Sequence, residues 1–389
     1  MRSIIIGIVI GCVIGVMFGA TVIAPRLEKA DSRSVGASTA AIGDAIKQAT
    51  RAVTPKTTIA LPPVSRQRPV VHWRMGSAYP ASLPLMGELA SRIGRTLWDV
   101  SGGGMELKFY EPDSLVPVKE MFDAVGSGTI DSAFGGVEFW ADKAPALALF
   151  AAIPFGPDPD EYLAWMYFGG GEDSLNQIYR PFNVHGILCG MTPPVASGWF
   201  RREFTDPKDL DGLKMSSTGL AAKVLQKLGV LTQNLRNEDI FVAFENGNID
   251  AAEFSLPSID LKLGFNDVAN HYYFPGWRQP AAFQNLIINK QKWDSLSTSQ
   301  QSRIEAACGD NVRYGLAEGN ATQYTALKEL TAKGVNIHRW PGSILSALEA
   351  AWRDVQAEQS AADGDFKRIW RSLAEFRKNY STWKELSRP

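Results

Sequence analysis

Cysteine and histidine are scarce in this chain: three Cys and four His among 389 residues. The histidines (His72, His185, His271 and His338) are scattered. None stands at metal-ligand spacing from another His or a Cys, so the sequence contains no metal-centre motif and implies neither metal nor cofactor. Cys12 lies in an apolar N-terminus, which leaves only Cys189 and Cys308. These two can pair in an oxidising compartment, and two buried free thiols fit the sequence equally well. An excess of charge is also missing. Forty Lys and Arg against 41 Asp and Glu leave a net charge of −1, which calls for neither nucleic acid nor an anionic lipid surface. No G-x-S-x-G elbow occurs, and Ser216-Ser217 has no histidine signalled nearby, so an exported hydrolase has little to stand on.

What the chain has is apolar material. Hydrophobic residues make up 45% against 21% charged, enough for a large core and too much for wholesale disorder. The length suits two ordinary domains or an intertwined pair. A charge-free run from Ile4 to Ala24 follows Met1-Arg2. It approaches the roughly 20 residues that a membrane-crossing helix needs, and Val22-Ile23-Ala24 before Pro25 is a poor cleavage site. Residues 1–27 are therefore read as a membrane anchor or signal segment, with the uncleaved anchor, spanning residues 4–24, preferred. Residues 28–69 are rich in Ala, Ser, Thr and Pro and read as a flexible linker. Either reading of the N-terminus exports the globular part, which begins near residue 70.

The globular part says one phrase twice. "GTIDSAF" (Gly128–Phe134) and "GNIDAAE" (Gly247–Glu253) each follow an apolar helical stretch, stop it with Gly and continue as a short strand. Upstream of the first, strand and helix patterns alternate: Val70–Met75, a helix through Met86 to Val100, alternation over Met105–Tyr110, and a helix at Val116–Val125. The second half repeats this with a strand at Leu213–Met215, helices at Leu220–Leu228 and Asp239–Glu245, and a strand at Ile249–Phe254. A further strand, Phe283–Ile288, precedes helical stretches at Thr298–Gly309, Tyr314–Lys333 and Ser343–Asn379. The pattern predicts an α/β protein of two related lobes, mainly parallel sheets flanked by helices, with a ligand cleft between them. Residues 70–190, completed by about 274–318, would form lobe I; residues 191–273, completed by about 319–389, would form lobe II. Ligands of open α/β sheets sit beyond the carboxyl ends of the strands, where the echoed phrases deliver Glu138-Phe139-Trp140 and Glu253-Phe254-Ser255.

Four stretches together resemble one family. They are "DLDGLKMSSTGLAAKVLQKLGV" (Asp209–Val230), "NGNIDAAEFSLPSIDLKLGF" (Asn246–Phe265), "HYYFPGW" (His271–Trp277) and "SGWFRREF" (Ser197–Phe204). They look like the DctP-type periplasmic solute-binding proteins of tripartite ATP-independent periplasmic (TRAP) transporters, over about residue 70 to the C-terminus. The likeness around Glu253 is to the 2-oxoacid-binding branch. The resemblance implies a periplasmic carrier with two α/β lobes that close on a small organic solute and deliver it to membrane permease subunits. An anchored ligand sensor is the alternative, with an exported hydrolase behind it.

Two departures bear on the ligand. Where the family has an Arg that clamps the ligand carboxylate, this chain has Ser216. Where the 2-oxoacid branch uses an acid, the next residue's carbonyl and a Gln to hold a cation, this chain has Glu253, Phe254 and, at the Gln position, Val195. Arg201, Arg202 and Arg278 are the substitute cations in view, each read first as solvated surface, and Lys214 should point to the other face of its strand. On this reading the solute is hydroxylated or aromatic and neutral, with a monocarboxylate second and a simple dicarboxylate disfavoured. The candidate ligand-binding residues are Ser216, Glu253, Phe254, Tyr79, Glu138, Phe139, Tyr273 and Trp277. Phe254 and Trp277 fit a core equally well, and of Tyr272 and Tyr273 only one should face the cleft. Glu138 also suits a helix start without any ligand. Asp131 and Asp250, shared by the echo, read as turn or capping residues.

Overall fold

A computed structural model describes residues 71–235 and 237–387. The expected anchor and linker lie outside the described residues. Among the described residues, no helix is long and apolar enough to cross a membrane.

The first half builds β1 (Val71–Ser77), α1 (Met86–Val100), β2 (Met105–Tyr110), α2 (Met121–Ser127) and β3 (Ser132–Gly136). Two helices not anticipated from the sequence, α3 (Pro159–Phe168) and α4 (Gly171–Tyr179), precede β4 (Val184–Thr192). The chain then crosses into β5 (Gly198–Phe200), β6 (Lys214–Ser216), α5 (Gly219–Lys227), β7 (Leu231–Gln233), α6 (Asn237–Glu245), β8 (Ala251–Ala252), α7 (Pro257–Leu263) and β9 (His271–Phe274). It returns as β10 (Ala282–Asn289) and ends in α8 (Thr298–Ala332), β11 (Asn336–Arg339), α9 (Gly342–Ala362) and α10 (Gly364–Ser387).

These strands form two mixed sheets, ordered β2-β1-β3-β10-β4 (lobe I) and β7-β6-β8-β5-β9-β11 (lobe II). The first five positions correspond. In lobe I, β1 lies parallel between β2 and β3, and β10 runs antiparallel between β3 and β4. In lobe II, β6 lies parallel between β7 and β8, and β5 runs antiparallel between β8 and β9. The antiparallel strand of each sheet is the one that has just crossed from the other lobe, so its direction follows from the crossing.

The echoed phrases occupy equivalent places. Gly128 (φ 81°) and Gly247 (φ 69°) both take the left-handed conformation that ends their helices without a Cβ penalty. Asp131 Oδ2 accepts the backbone N–H of Arg74 at 2.6 Å, and Asp250 Oδ2 accepts that of Lys214 at 3.2 Å. Each shared Asp thus ties its own strand to the N–H of the neighbouring parallel strand, a structural role.

Burial follows the expected periods. On β1, Val71, Trp73 and Met75 face the core while His72 and Arg74 face out. Leu89, Ala90, Ile93 and Leu97 form the buried stripe of α1. The two helical stretches expected around Gly309 are one helix, α8, of 35 residues. Its Gly315 and Gly319 let it lie close on the chain: a Cβ there would come within 2.6 Å of the Met191 carbonyl and of Pro193. Conversely, the single stretch expected from Ser343 onward is two helices. Asp363 breaks it and caps α10 by accepting the Phe366 N–H at 2.6 Å.

That break redirects the C-terminus. α9 packs on α5 of lobe II, but α10 lies against α3 of lobe I instead of completing lobe II. Arg377 of α10 donates to the Phe155 and Gly156 carbonyls and pairs with Glu161, and Lys384 pairs with Asp158. Cys189 of β4 and Cys308 of α8 form a disulfide, which resolves the choice between pairing and free thiols.

Candidate functional site

Two segments cross between the lobes here, β4 to β5 and β9 to β10, and the stretch after β8 lies beside them, their backbones bonding to one another. Val195 N–H donates to the Gln279 carbonyl (3.4 Å), Ala196 N–H to the Ser255 carbonyl (3.1 Å), and Ser197 N–H to the Tyr273 carbonyl (2.9 Å). A Cβ on Gly276 would lie 1.8 Å from the Val195 carbonyl oxygen, so the close approach requires glycine. The carboxyl ends of β1, β3, β6 and β8 open onto this junction, carrying Tyr79, Glu138, Ser216 to Thr218, and Glu253.

Lobe I contributes an acid held by a phenol. The buried Tyr79 hydroxyl donates to Glu138 Oε1 (3.4 Å) and accepts the Gly136 N–H (3.1 Å). The Tyr79 ring meets Phe134 and Phe139 edge-on at 6.2 and 5.7 Å. Glu138 is open to solvent at the rim, yet crowding strips enough of its hydration to raise its pKa. Hydrogen bonds from its own backbone and from Tyr79, together with the charge of Arg278, oppose that rise.

Lobe II contributes a charged cluster. Glu253 Oε1 accepts the Thr218 N–H at 3.0 Å, and the Glu253 N–H donates to the Ser216 carbonyl. Arg278, from the returning segment, is 7% exposed. Its Nη2 donates to the Phe254 carbonyl (2.6 Å), its Nη1 to Gln279 Oε1 (2.9 Å), and its Nε lies 3.3 Å from Glu253 Oε2. The last pair is close in distance but not aligned as a hydrogen bond. Glu253 Oε2, Arg278 Nε and Ser217 Oγ are each buried without a hydrogen-bond partner among the described residues. Such groups are costly unless something meets them.

Beneath the cluster lies Asp260 of α7, fully buried. Its carboxylate accepts Trp199 Nε1–H (2.8 Å), the Tyr272 hydroxyl (2.8 Å) and the Ser255 N–H (3.0 Å). Desolvation nevertheless lifts its pKa to about 6, against those three bonds and the nearby Arg278 charge.

The structure brings Tyr79, Glu138, Phe139, Ser216, Glu253 and Phe254 to the junction. Phe254 and Phe139 each pack against two hydrophobic clusters, and both touch the cluster that holds Tyr79. Ser216 is buried at the end of β6. The structure does not bring Tyr273 and Trp277 there. Strand alternation turns Tyr273 into the lobe II core, where it packs on Trp340 at 4.2 Å and its hydroxyl accepts the Phe204 N–H. Its neighbour Tyr272 is buried too, stacked on Trp199 with its hydroxyl on Asp260 beneath the charged cluster. Trp277 stacks on Phe155 at 5.7 Å and lines an apolar cavity with Phe200 and Trp340. The residue after it is the one that matters.

Arg278 corrects the first reading of it as solvated surface. Its burial depends on the paired crossing segments and on no local pattern. Arg201 and Arg202 sit at the amino ends of β6 and β8, away from the cleft, beside a surface hollow of ≈ 270 Å³ with Asp211 and Asp250. The sequence signal for Asp260 is only an acid at the fourth position of a Pro-initiated helix, which the helix start alone explains.

A family model described as bacterial extracellular solute-binding protein, family 7 (DctP), matches residues 75–363. The chain is 32% identical over 344 residues to the monocarboxylate 2-oxoacid-binding periplasmic protein of Nostoc sp., which covers 88% of this chain and 94% of that one. A TRAP transporter solute-binding protein from Bordetella bronchiseptica, solved with copurified calcium and picolinate in its active site, aligns with a TM-score of 0.78 at 33% identity. The match covers 82% of this chain and 95% of that one. A TRAP periplasmic solute-binding protein from Pseudoalteromonas atlantica, with bound sodium and pyruvate, aligns with a TM-score of 0.77 at 26% identity over 82% and 97% of the two chains.

Proposed function

The chain belongs to family 7 of the bacterial extracellular solute-binding proteins, the DctP family, and from that membership we propose that it captures a small organic monocarboxylate between its lobes for TRAP permease subunits. It is a binding protein and not an enzyme, in keeping with its relatives. The observation that carries the reading is a set of two buried donors at the lobe junction, Arg278 Nε and Ser217 Oγ, without a hydrogen-bond partner among the described residues, with Glu253 Oε2 3.3 Å from the first.

A carboxylate suits that set. It can accept from the guanidinium Nε–H and from the Ser217 hydroxyl together, while Tyr79, Phe139 and Phe254 enclose an apolar or aromatic body. The two unpartnered donors among the described residues, Arg278 Nε and Ser217 Oγ, suffice for one carboxylate, so dicarboxylates are disfavoured. The expectation of a neutral solute rested on Ser216 standing where the family has Arg, and Arg278 removes its basis. Closure of lobes I and II about the crossing segments encloses the solute, and the N-terminal segment holds the protein at the outer face of the inner membrane, in the periplasm.

The test is a thermal-shift screen of the purified full chain against 2-oxoacids, aromatic acids, dicarboxylates and polyols. A ligand at about 100 times its Kd stabilises the folded state by roughly 2.7 kcal/mol and raises the melting temperature. The reading expects the rise with monocarboxylates. A rise with polyols alone, or consumption of a compound with formation of product, would overturn it.

A further inference from the structure

The Bordetella and Pseudoalteromonas relatives hold a metal ion together with their acid ligands. The residues of this chain do not fit one. Calcium asks for about six to eight oxygen donors. The acid and carbonyl on hand are Glu253 and Phe254, and both are engaged. Glu253 Oε1 takes the Thr218 N–H, Glu253 Oε2 faces Arg278 Nε at 3.3 Å, and the Phe254 carbonyl takes Arg278 Nη2 at 2.6 Å. Val195, where the resemblance to the 2-oxoacid-binding branch implies a Gln, is a buried hydrocarbon with no side-chain oxygen. Among the described residues, no group of three or more His, Cys, Asp or Glu gathers that could hold a metal ion. A metal placed against Glu253 and the Phe254 carbonyl would also stand beside a guanidinium that does not deprotonate in proteins.

We propose that the Arg278 guanidinium is a resident cation between Glu253 and the Phe254 carbonyl, so that this protein binds its carboxylate solute without metal. The proposal rests on the monocarboxylate reading above. The guanidinium is wedged between the acid and the carbonyl, as a bridging cation would be. Gln279 Oε1 braces its Nη1 at 2.9 Å and leaves Nε unpartnered among the described residues. Because the cation is covalently attached, it is present at every calcium or sodium concentration. Its charge already faces Glu253, so the solute carboxylate is held by the donors Arg278 Nε and Ser217 Oγ.

The experiment is calorimetric titration of the full chain with pyruvate and with picolinate. Each is titrated into protein dialysed against a chelator in sodium-free buffer, and again with calcium or sodium restored. The proposal expects a Kd for the bound probe that stays within about twofold across these conditions, whereas a metal-bridged site loses tenfold or more, about 1.4 kcal/mol, on chelation. A loss of that size in the wild type overturns the proposal and leaves the solute class standing. Binding of neither probe under any condition removes the solute class, and the proposal with it. A second arm combines Arg278→Ala with Val195→Gln, which frees both oxygens and adds a third. Tight, calcium-requiring binding by this double variant is expected. Calcium-independent binding at wild-type strength would show that Arg278 does not touch the ligand and would overturn the proposal.

Discussion

Replacing Asp260 with asparagine isolates the cost of keeping a carboxyl group under the binding cluster. The group is fully buried, and desolvation outweighs three hydrogen-bond donors and a nearby guanidinium to raise its pKa from 3.8 to about 6. The folded protein therefore keeps a proton that the unfolded chain releases. The resulting stabilisation is fully present below the unfolded value near 3.8 and is lost as pH rises through about 6. A separation of about two pH units, at roughly 1.4 kcal/mol per unit, amounts to about 3 kcal/mol between the two limits. Asparagine cannot titrate. Its amide nitrogen also fails to accept from Trp199 or Tyr272, a fixed loss of about 1–3 kcal/mol that cancels when one variant is compared at two pH values. Urea unfolding followed by tryptophan fluorescence, at about pH 4 and about pH 7.5, should show a wild-type advantage over Asp260→Asn that is about 2–3 kcal/mol larger at the lower pH. An advantage that is constant with pH, or larger near neutrality, would mean that the donors and Arg278 prevail over burial and keep Asp260 ionised.

Two further outcomes follow from the crossing segments and the cross-link. The Cys189–Cys308 bond closes a loop with a sequence separation of 119, so in the chain-entropy account Cys308→Ser loses about 4–5 kcal/mol; urea curves that superimpose on the wild type would show that the bond does not constrain the unfolded chain. Gly276→Ala drives a methyl group into the Val195 carbonyl, with an expected loss of about 1–3 kcal/mol and a smaller ligand-induced thermal shift; unchanged melting would show that the segments separate freely.

Much of the fold was legible because its signals are local. The left-handed glycines, the alternation on β1 and the apolar stripe of α1 each depend on a handful of adjacent residues. The echo of "GTIDSAF" in "GNIDAAE" pointed to duplicated lobes, and the matched roles of Asp131 and Asp250 account for the shared aspartate. Helix boundaries were weaker where a residue serves more than one purpose. Gly309 reads as a stop yet lies inside α8, and Asp363 reads as one more helical residue yet caps the next helix.

The candidate site was legible on the strand ends and not on the crossing segments. Glu253, Phe254, Glu138 and Phe139 follow from the rule that ligands gather beyond the carboxyl ends of strands, and Tyr79 from the resemblance to the family. Tyr273 and Trp277 were drawn from a neighbouring aromatic run, in which one step of alternation exchanges core for cleft.

The amino-acid sequence alone determined the α/β class, the paired lobes, the family and the acid on each wall, because periods of 2 and 3.6 residues and a repeated phrase survive without knowledge of distant contacts. Tertiary structure decided which cation faces those acids. Arg278 is buried because segments from three parts of the chain bond side by side, and no short stretch of residues records which side chains such a crossing will enclose.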